Sequence, residues 1–187
     1  GQSSPFLVLA RGEESAVLLG LLDSGECLLD DISVIEDPDG AARELIQNGD
    51  FEDDPIGTSP DHWRMVGTHG LHGRSEVIAD PDGAGKVLHV VATGPMWHQQ
   101  NQAETTLKFG NSFVTINSNR DYEISFRAKW LSGAPNLNTR LYFDRVAKTH
   151  VLNQSACSGT PGAENSTRVA NLGPVSEDFM HRPLRPG

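Results

Sequence analysis

The chain has 187 residues and a formal net charge of -10, with 25 Asp and Glu against 15 Lys and Arg. That length can bury a real core. The acids are spread along the chain, which excludes the basic patch that a nucleic-acid backbone or an anionic membrane surface requires. No apolar run reaches the roughly 20 residues of a membrane-spanning helix.

Residues 5–35 hold two apolar runs, SAVLLGLL and CLLDDISVI, on either side of Asp23-Ser24-Gly25-Glu26. Turn-forming residues between two apolar runs predict a β-hairpin. A lone hairpin is marginal in water, so this one is expected to be the tail end of a preceding module whose start is missing, over residues 1–37. The chain opens on Gly rather than Met, as an excised fragment would. Leu29, Ile32 and Val34 are then expected to pack on the following domain or pair with its edge, because an exposed apolar hairpin invites aggregation.

Glu36-Asp37-Pro38-Asp39-Gly40 breaks the pattern, and residues 38–43 are read as a linker. A main domain spans 44–152. It opens on Leu45-Ile46-Gln47-Asn48-Gly49-Asp50-Phe51-Glu52 and passes through a Pro- and Gly-containing loop to Trp63. The strand candidates WRMVG, SEVIA and KVLHVVAT follow, the last two joined by Asp80-Pro81-Asp82-Gly83. Ala103 to Phe109 and Ser112 to Ile116 add two more. Short strands at this spacing predict an antiparallel β-sandwich, and ARELIQ is the only helix candidate.

The strongest pattern is Asp121 to Val146. Tyr122, Ile124, Phe126, Ala128 and Trp130 alternate with Glu123, Ser125, Arg127 and Lys129. Leu137, Thr139, Leu141 and Phe143 alternate with Asn138, Arg140, Tyr142 and Asp144. Joined by Ser132-Gly133-Ala134-Pro135-Asn136, the two arms predict a second hairpin. Pairing Trp130 with Leu137 would set Arg127 opposite Arg140, a like-charge contact needing acids or an oxygen-rich ligand to offset it. Residues 153–187, rich in Ser, Gly, Pro and Asn, are read as a linker toward a further domain and as poor core material.

Candidate chemistry is sparse. His62, His69 and His72 fit no structural zinc spacing, and Cys27 and Cys157 are too few for a disulfide scaffold. No Gly-x-Ser-x-Gly elbow or phosphate-cradling loop is present, so no enzyme is expected. Trp97 lies in the polar stretch Gly94-Pro95-Met96-Trp97-His98-Gln99-Gln100-Asn101-Gln102. An indole there could lie against a sugar ring or cap the sandwich edge.

The opening segment at Asn48-Gly49-Asp50-Phe51-Glu52, Trp63, the Gly85-Lys86-Val87-Leu88-His89-Val90 strand and the Tyr122-Glu123-Ile124-Ser125-Phe126-Arg127-Ala128-Lys129 strand together resemble a galactose-binding-like β-jelly-roll, the fold of many carbohydrate-binding modules. The resemblance covers about residues 44 to 152. Glu26 to Val34 is similar to the closing strand of that fold. More narrowly, the run from Asp80 to Ala163 resembles tandem modules of large secreted bacterial proteins that also carry lamin-tail and CotH kinase-like domains. The resemblance implies an extracellular or cell-surface, non-catalytic module that binds a glycan or polysaccharide weakly. The neighbouring domains of the same chain would be its other partners, with no nucleic acid and no membrane. Trp97, Arg127, Arg140 and Tyr142 would be its ligand-binding residues. It also implies a structural Ca²⁺ held through Asp50 and Glu52, with Asp30 or Asp31 completing the site. The alternative is a spacer that only positions its neighbours, and the polar sheet face separates the two readings.

Overall fold

A computed structural model describes residues 15–66, 73–94, 102–117, 119–141, 146–153 and 164–169, and the statements that follow concern these. The strands are β1 (Ala16–Leu21), β2 (Gly25–Glu36), β3 (Arg43–Glu44), β4 (Trp63–Val66), β5 (Arg74–Ala79), β6 (Lys86–Ala92), β7 (Gln102–Thr106), β8 (Lys108–Phe109), β9 (Ser112–Phe113), β10 (Tyr122–Gly133), β11 (Asn136–Leu141), β12 (Val146–Val151) and β13 (Glu164–Val169). They form two antiparallel sheets, one ordered β12-β11-β1-β7-β4 and the other β13-β10-β2-β6-β5. The small β3 adds to β2, and β8 pairs β9 apart from both sheets. The protein is an all-β, antiparallel β-sandwich. No helix occurs among the described residues, and the candidate ARELIQ instead supplies β3.

Both expected hairpins are replaced by a different pairing of the same strands. β1 pairs β11, with Leu21 opposite Leu137, and β2 pairs β10, with Gly25 opposite Gly133 and Glu36 opposite Tyr122. The register runs almost unbroken through all four strands, so residues 16–36 and 122–141 form one long antiparallel ribbon. Midway along, the ribbon bends and its halves enter opposite sheets. Two crossings lie side by side at the bend: Leu22 N donates to Asn136 O at 2.9 Å, and Ala134 N to Ser24 O at 2.9 Å. Asp23-Ser24-Gly25 and Gly133-Ala134-Pro135 therefore mark corners, not reversals. Turn chemistry serves both, because each needs backbone that leaves the strand path.

Residues 15–36 thus supply an inner strand to each sheet rather than a hairpin of another module. Leu29, Ile32 and Val34 lie in the same core as residues 44–141, as expected of them, but in the middle of a sheet and not at its edge. The segment read as a linker beyond 153 contributes β13, which pairs β10 from Tyr122↔Val169 to Arg127↔Glu164. The remainder of that tail is outside the described residues.

The alternation in β10 and β11 delivers its core residues as far as Ala128 and Leu141; Trp130, expected on the same face, is only half-buried where β10 nears the bend, and Phe143 lies outside the described residues. Tyr122, Ile124, Phe126, Leu137 and Leu141 are buried, and they meet Val17, Leu19, Leu21, Cys27, Leu88 and Val90 between the sheets. Inward side chains from both layers interdigitate, as in other sandwiches. At the outer edge of β5, Gly57 N donates to Val77 O and Val77 N to Thr58 O, both at 2.8 Å. The loop ahead of β4 thereby covers an edge that would otherwise offer itself to another chain.

One irregularity shapes the site. Between Ser125↔Ser33 and Arg127↔Asp30 the ladder slips, leaving two β2 residues against Phe126. Asp31 sits there at φ 48°, the left-handed region that Asp tolerates better than most residues. The bulge flips the facing of β2: Leu28 and Asp30 point away from the core before it, whereas Ile32 and Val34 point into the core after it.

Candidate functional site

Charged side chains gather on the outer face of the six-stranded sheet, where β2, β6 and β10 run side by side. Arg127 and Lys129 project from this face of β10 because Phe126 and Ala128 point inward. Across the ladder, Arg127 stands opposite Asp30 rather than Arg140. The like-charge conflict expected from a β10–β11 hairpin does not arise. The Arg127 guanidinium pairs with Asp30, its Nε lies 2.8 Å from Asp31 Oδ2, and Asp80 Oδ2 is 3.8 Å from its terminal nitrogen. Lys129 Nζ pairs with Asp82. The turn Asp80–Gly85 positions both of these aspartates: Asp80 N donates to Gly85 O at 3.0 Å, and Asp82 N to Asp80 Oδ1 at 2.9 Å.

Asp30, Asp80, Asp82, Arg127 and Lys129 rim an open pocket of about 110 Å³, lined also by Leu28, Val87 and Ala128. Burial pushes the Asp30 carboxyl above the usual aspartate range, against the hydrogen bond and charge of Arg127, which draw it down. The Asp30 hydrogen bond raises the Arg127 guanidinium further. A raised carboxyl favours folding most when it is protonated. This group's contribution is therefore full below the ordinary aspartate range and is lost as pH rises through its higher folded value.

Arg127→Ala is expected to move the Asp30 titration further upward, followed by carboxyl-carbon NMR. The same change is expected to cost about 1–2 kcal/mol, less than a fully buried pair would, because the Arg127 side chain is 40% exposed. A titration that moves down on this substitution would mean that the Arg127 contact does not govern Asp30.

The other expected ligand-binding residues do not join Arg127. Arg140 lies on the opposite sheet, opposite Leu18 of β1, and faces away from the core that Leu137 and Leu141 enter. It is buried and its Nε bonds Asn138 Oδ1. Asn138, Gln102 and Glu104 are buried on that same face, and the Arg64 Nε donates to Glu104 Oε1 at 2.8 Å. Arg127 and Arg140 thus point out of opposite faces of the sandwich. Trp97 and Tyr142 lie outside the described residues, as do His69, His72 and Cys157.

Asp80 and Asp82 read in the sequence only as turn residues, and Asp30 as a candidate to complete a Ca²⁺ site. Their signal was two Asp pairs, 30–31 in the middle of β2 and 80/82 just past the end of β5. Cys27 is a buried free thiol pushed up to about 12 by burial, which makes it inert packing.

The segment expected to hold Ca²⁺ is occupied by other contacts. Asp50 is exposed. Glu52 Oε1 accepts the Lys86 N–H at 2.8 Å, and Lys86 Nζ donates to Glu52 O at 2.6 Å and Asp54 O at 2.7 Å. The Asp54 carboxylate accepts from Asn48 Nδ2 at 2.7 Å and from Asp61 N at 3.0 Å. Asp30 and Asp31 turn to Arg127 instead. Among the described residues no group of three or more His, Cys, Asp or Glu side chains is arranged to hold a metal. The oxygens that converge in this loop converge on an ammonium, so Ca²⁺ fits the residues poorly.

No protein-family model, curated protein or solved structure matches the chain.

Proposed function

We propose that the chain is a non-catalytic binding module that holds a glycan unit in the pocket around Arg127. The observation that carries this reading is the make-up of that pocket: apolar Leu28 and Val87 at its base, with Asp30, Asp80, Asp82, Arg127 and Lys129 at its rim. A sugar ring offers apolar C–H faces and a rim of hydroxyls, and such a site supplies contact for the first and acceptors and donors for the second. Three carboxylates against two cations at the rim disfavour a uronic acid and favour neutral or amino sugars. The pocket is small and open, so affinity is low. Such a module belongs outside the cell, as one unit of a larger chain with the jelly-roll fold that its opening segment resembles.

A second reading has its own observation. The rim charges already pair with one another, Arg127 with Asp30 and Asp31, Lys129 with Asp82. A spacer module would look the same, because its charges need only keep each other and the surface solvated.

Affinity electrophoresis through gels containing neutral, amino-sugar or uronic polysaccharides separates the two. Retardation of the wild type in the first two gels, and its loss in Lys129→Ala, is the expected result. Lys129→Ala removes one partly exposed ion pair and is expected to cost under about 1 kcal/mol, so lost retardation would not reflect unfolding. Migration of the wild type unchanged in all three gels would remove the glycan reading and leave the spacer.

A further inference from the structure

The loop between β3 and β4 gathers backbone and carboxylate oxygens, and a side-chain cation already stands among them. Its backbone turns sharply, with Asn48, Phe51 and His62 at φ 59°, 57° and 69°. Those turns direct the carbonyls of Glu52 and Asp54 to a common point. There Lys86 Nζ takes both, at 2.6 and 2.7 Å, while the Lys86 amide takes Glu52 Oε1 at 2.8 Å. Gly85 precedes it at φ 111°, and a Cβ at that position would stand 2.4 Å from Glu52 Oε1. The glycine is what lets the lysine backbone come this close.

We propose that the Lys86 ammonium is the built-in cation of this loop, so that the fold is closed independently of Ca²⁺. A hard divalent ion needs six to eight oxygens at about 2.3–2.6 Å. The loop presents two carbonyls and one carboxylate already engaged by an amide, at distances natural to a charged N–H donor. An ion entering the same point would face the ammonium at close range and be repelled. The lysine tethers the loop to the first residue of β6, whose next residue, Val87, is a wall of the Arg127 pocket. The lysine's role in the loop is independent of whether the pocket binds a glycan.

The test is thermal unfolding of the wild type in chelator and in millimolar Ca²⁺, alongside Lys86→Met. Equal wild-type melting temperatures are expected in the two conditions. Lys86→Met, which keeps the stem and removes the charge, is expected to melt about 3–8 °C lower in both. A wild-type melting temperature that climbs with Ca²⁺ would overturn the proposal, since an ion bound only by the folded state must stabilise it. So would a Lys86→Met protein that melts within a degree of wild type. One further readout needs no variant: the Lys86 ¹⁵Nζ resonance should show protons that exchange with water far more slowly than those of Lys108. Equally fast exchange would also overturn it.

Discussion

Gly133→Ala is expected to destabilise the protein by about 2–4 kcal/mol, the sum of a left-handed backbone penalty and a forced contact. Gly133 sits at φ 73°, and a Cβ there would stand 2.4 Å from Ser24 O and 2.5 Å from Gly25 Cα. Neither neighbour is the end of a flexible side chain, so backbone has to move. Gly25, its register partner, is equally tight: a Cβ would meet Ser132 O at 2.6 Å and Ala134 N at 2.7 Å. The pair lies where the ribbon bends from one sheet into the other, and two backbones pass without side chains between them. Gly25→Ala should therefore destabilise too. Because each residue crowds the other's backbone, the double variant should depart from additivity. Urea unfolding measures both. A cost under about 0.5 kcal/mol for Gly133→Ala, the level of an ordinary surface change, would mean that the bend is not built as described. By contrast Gly57, at φ 83°, has nothing within 4 Å of a would-be Cβ, so Gly57→Ala carries the backbone penalty alone.

This corner also explains what the sequence could and could not disclose. Alternation in Tyr122 to Ala128 and in Leu137 to Leu141 identified core positions, because burial acts on each strand locally and leaves its period in the residues. Partner choice leaves no such period. Arg127 opposite Arg140 and Arg127 opposite Asp30 are equally compatible with the alternation, and the turn residues at 23–25 and 133–135 suit a reversal as well as a bend. The second assignment is electrostatically preferable, and it is the one that the ribbon of strands 16–36 and 122–141 adopts. The bulge at Asp31 was hidden for a related reason. It shows only as a break in facing between Asp30 and Ile32, which a strand read alone presents as two adjacent acids.

The candidate pocket was half legible. Arg127 and Lys129 follow from the outward register of β10, but their partners Asp80 and Asp82 come from a turn 45 or more residues earlier. Asp-Pro-Asp-Gly announces a turn and says nothing of which sheet face it folds over. In the opening segment the acids are conspicuous and the cation they meet is not. Asp50 and Glu52 stood as ligands only through the resemblance, whereas the lysine that takes the loop's carbonyls lies in another strand, at the start of β6.

The opening segment owes its position to its aromatic residue more than to its acids, and Phe51→Ala is expected to cost about 3–5 kcal/mol, as for other large-to-small changes in a packed core. Phe51 is fully buried although the residues on either side of it are exposed. Its φ of 57° turns the side chain inward from the loop, where its ring meets Trp63 at 5.7 Å between centroids and 59° between planes. Trp63 in turn donates its Nε1–H to Asn48 O at 2.8 Å, closing the loop on itself. Gly49 holds the other side: Ile32 N donates to Gly49 O at 3.0 Å, and a Cβ on Gly49 would lie 2.0 Å from Ile32 O. The loop is thus fixed to β2 just past the bulge, to β4 through Trp63 and to β6 through Lys86. Removing the Phe51 ring leaves a cavity that three anchored sides cannot collapse to fill, which places the expected cost at the upper end of that range. Phe51→Leu, which restores part of the volume, should recover roughly half, since cavity and transfer terms both shrink. Denaturant unfolding of the two variants checks this. A Phe51→Ala protein as stable as wild type would mean that the ring is not core, and the segment's role would then fall back on its exposed acids.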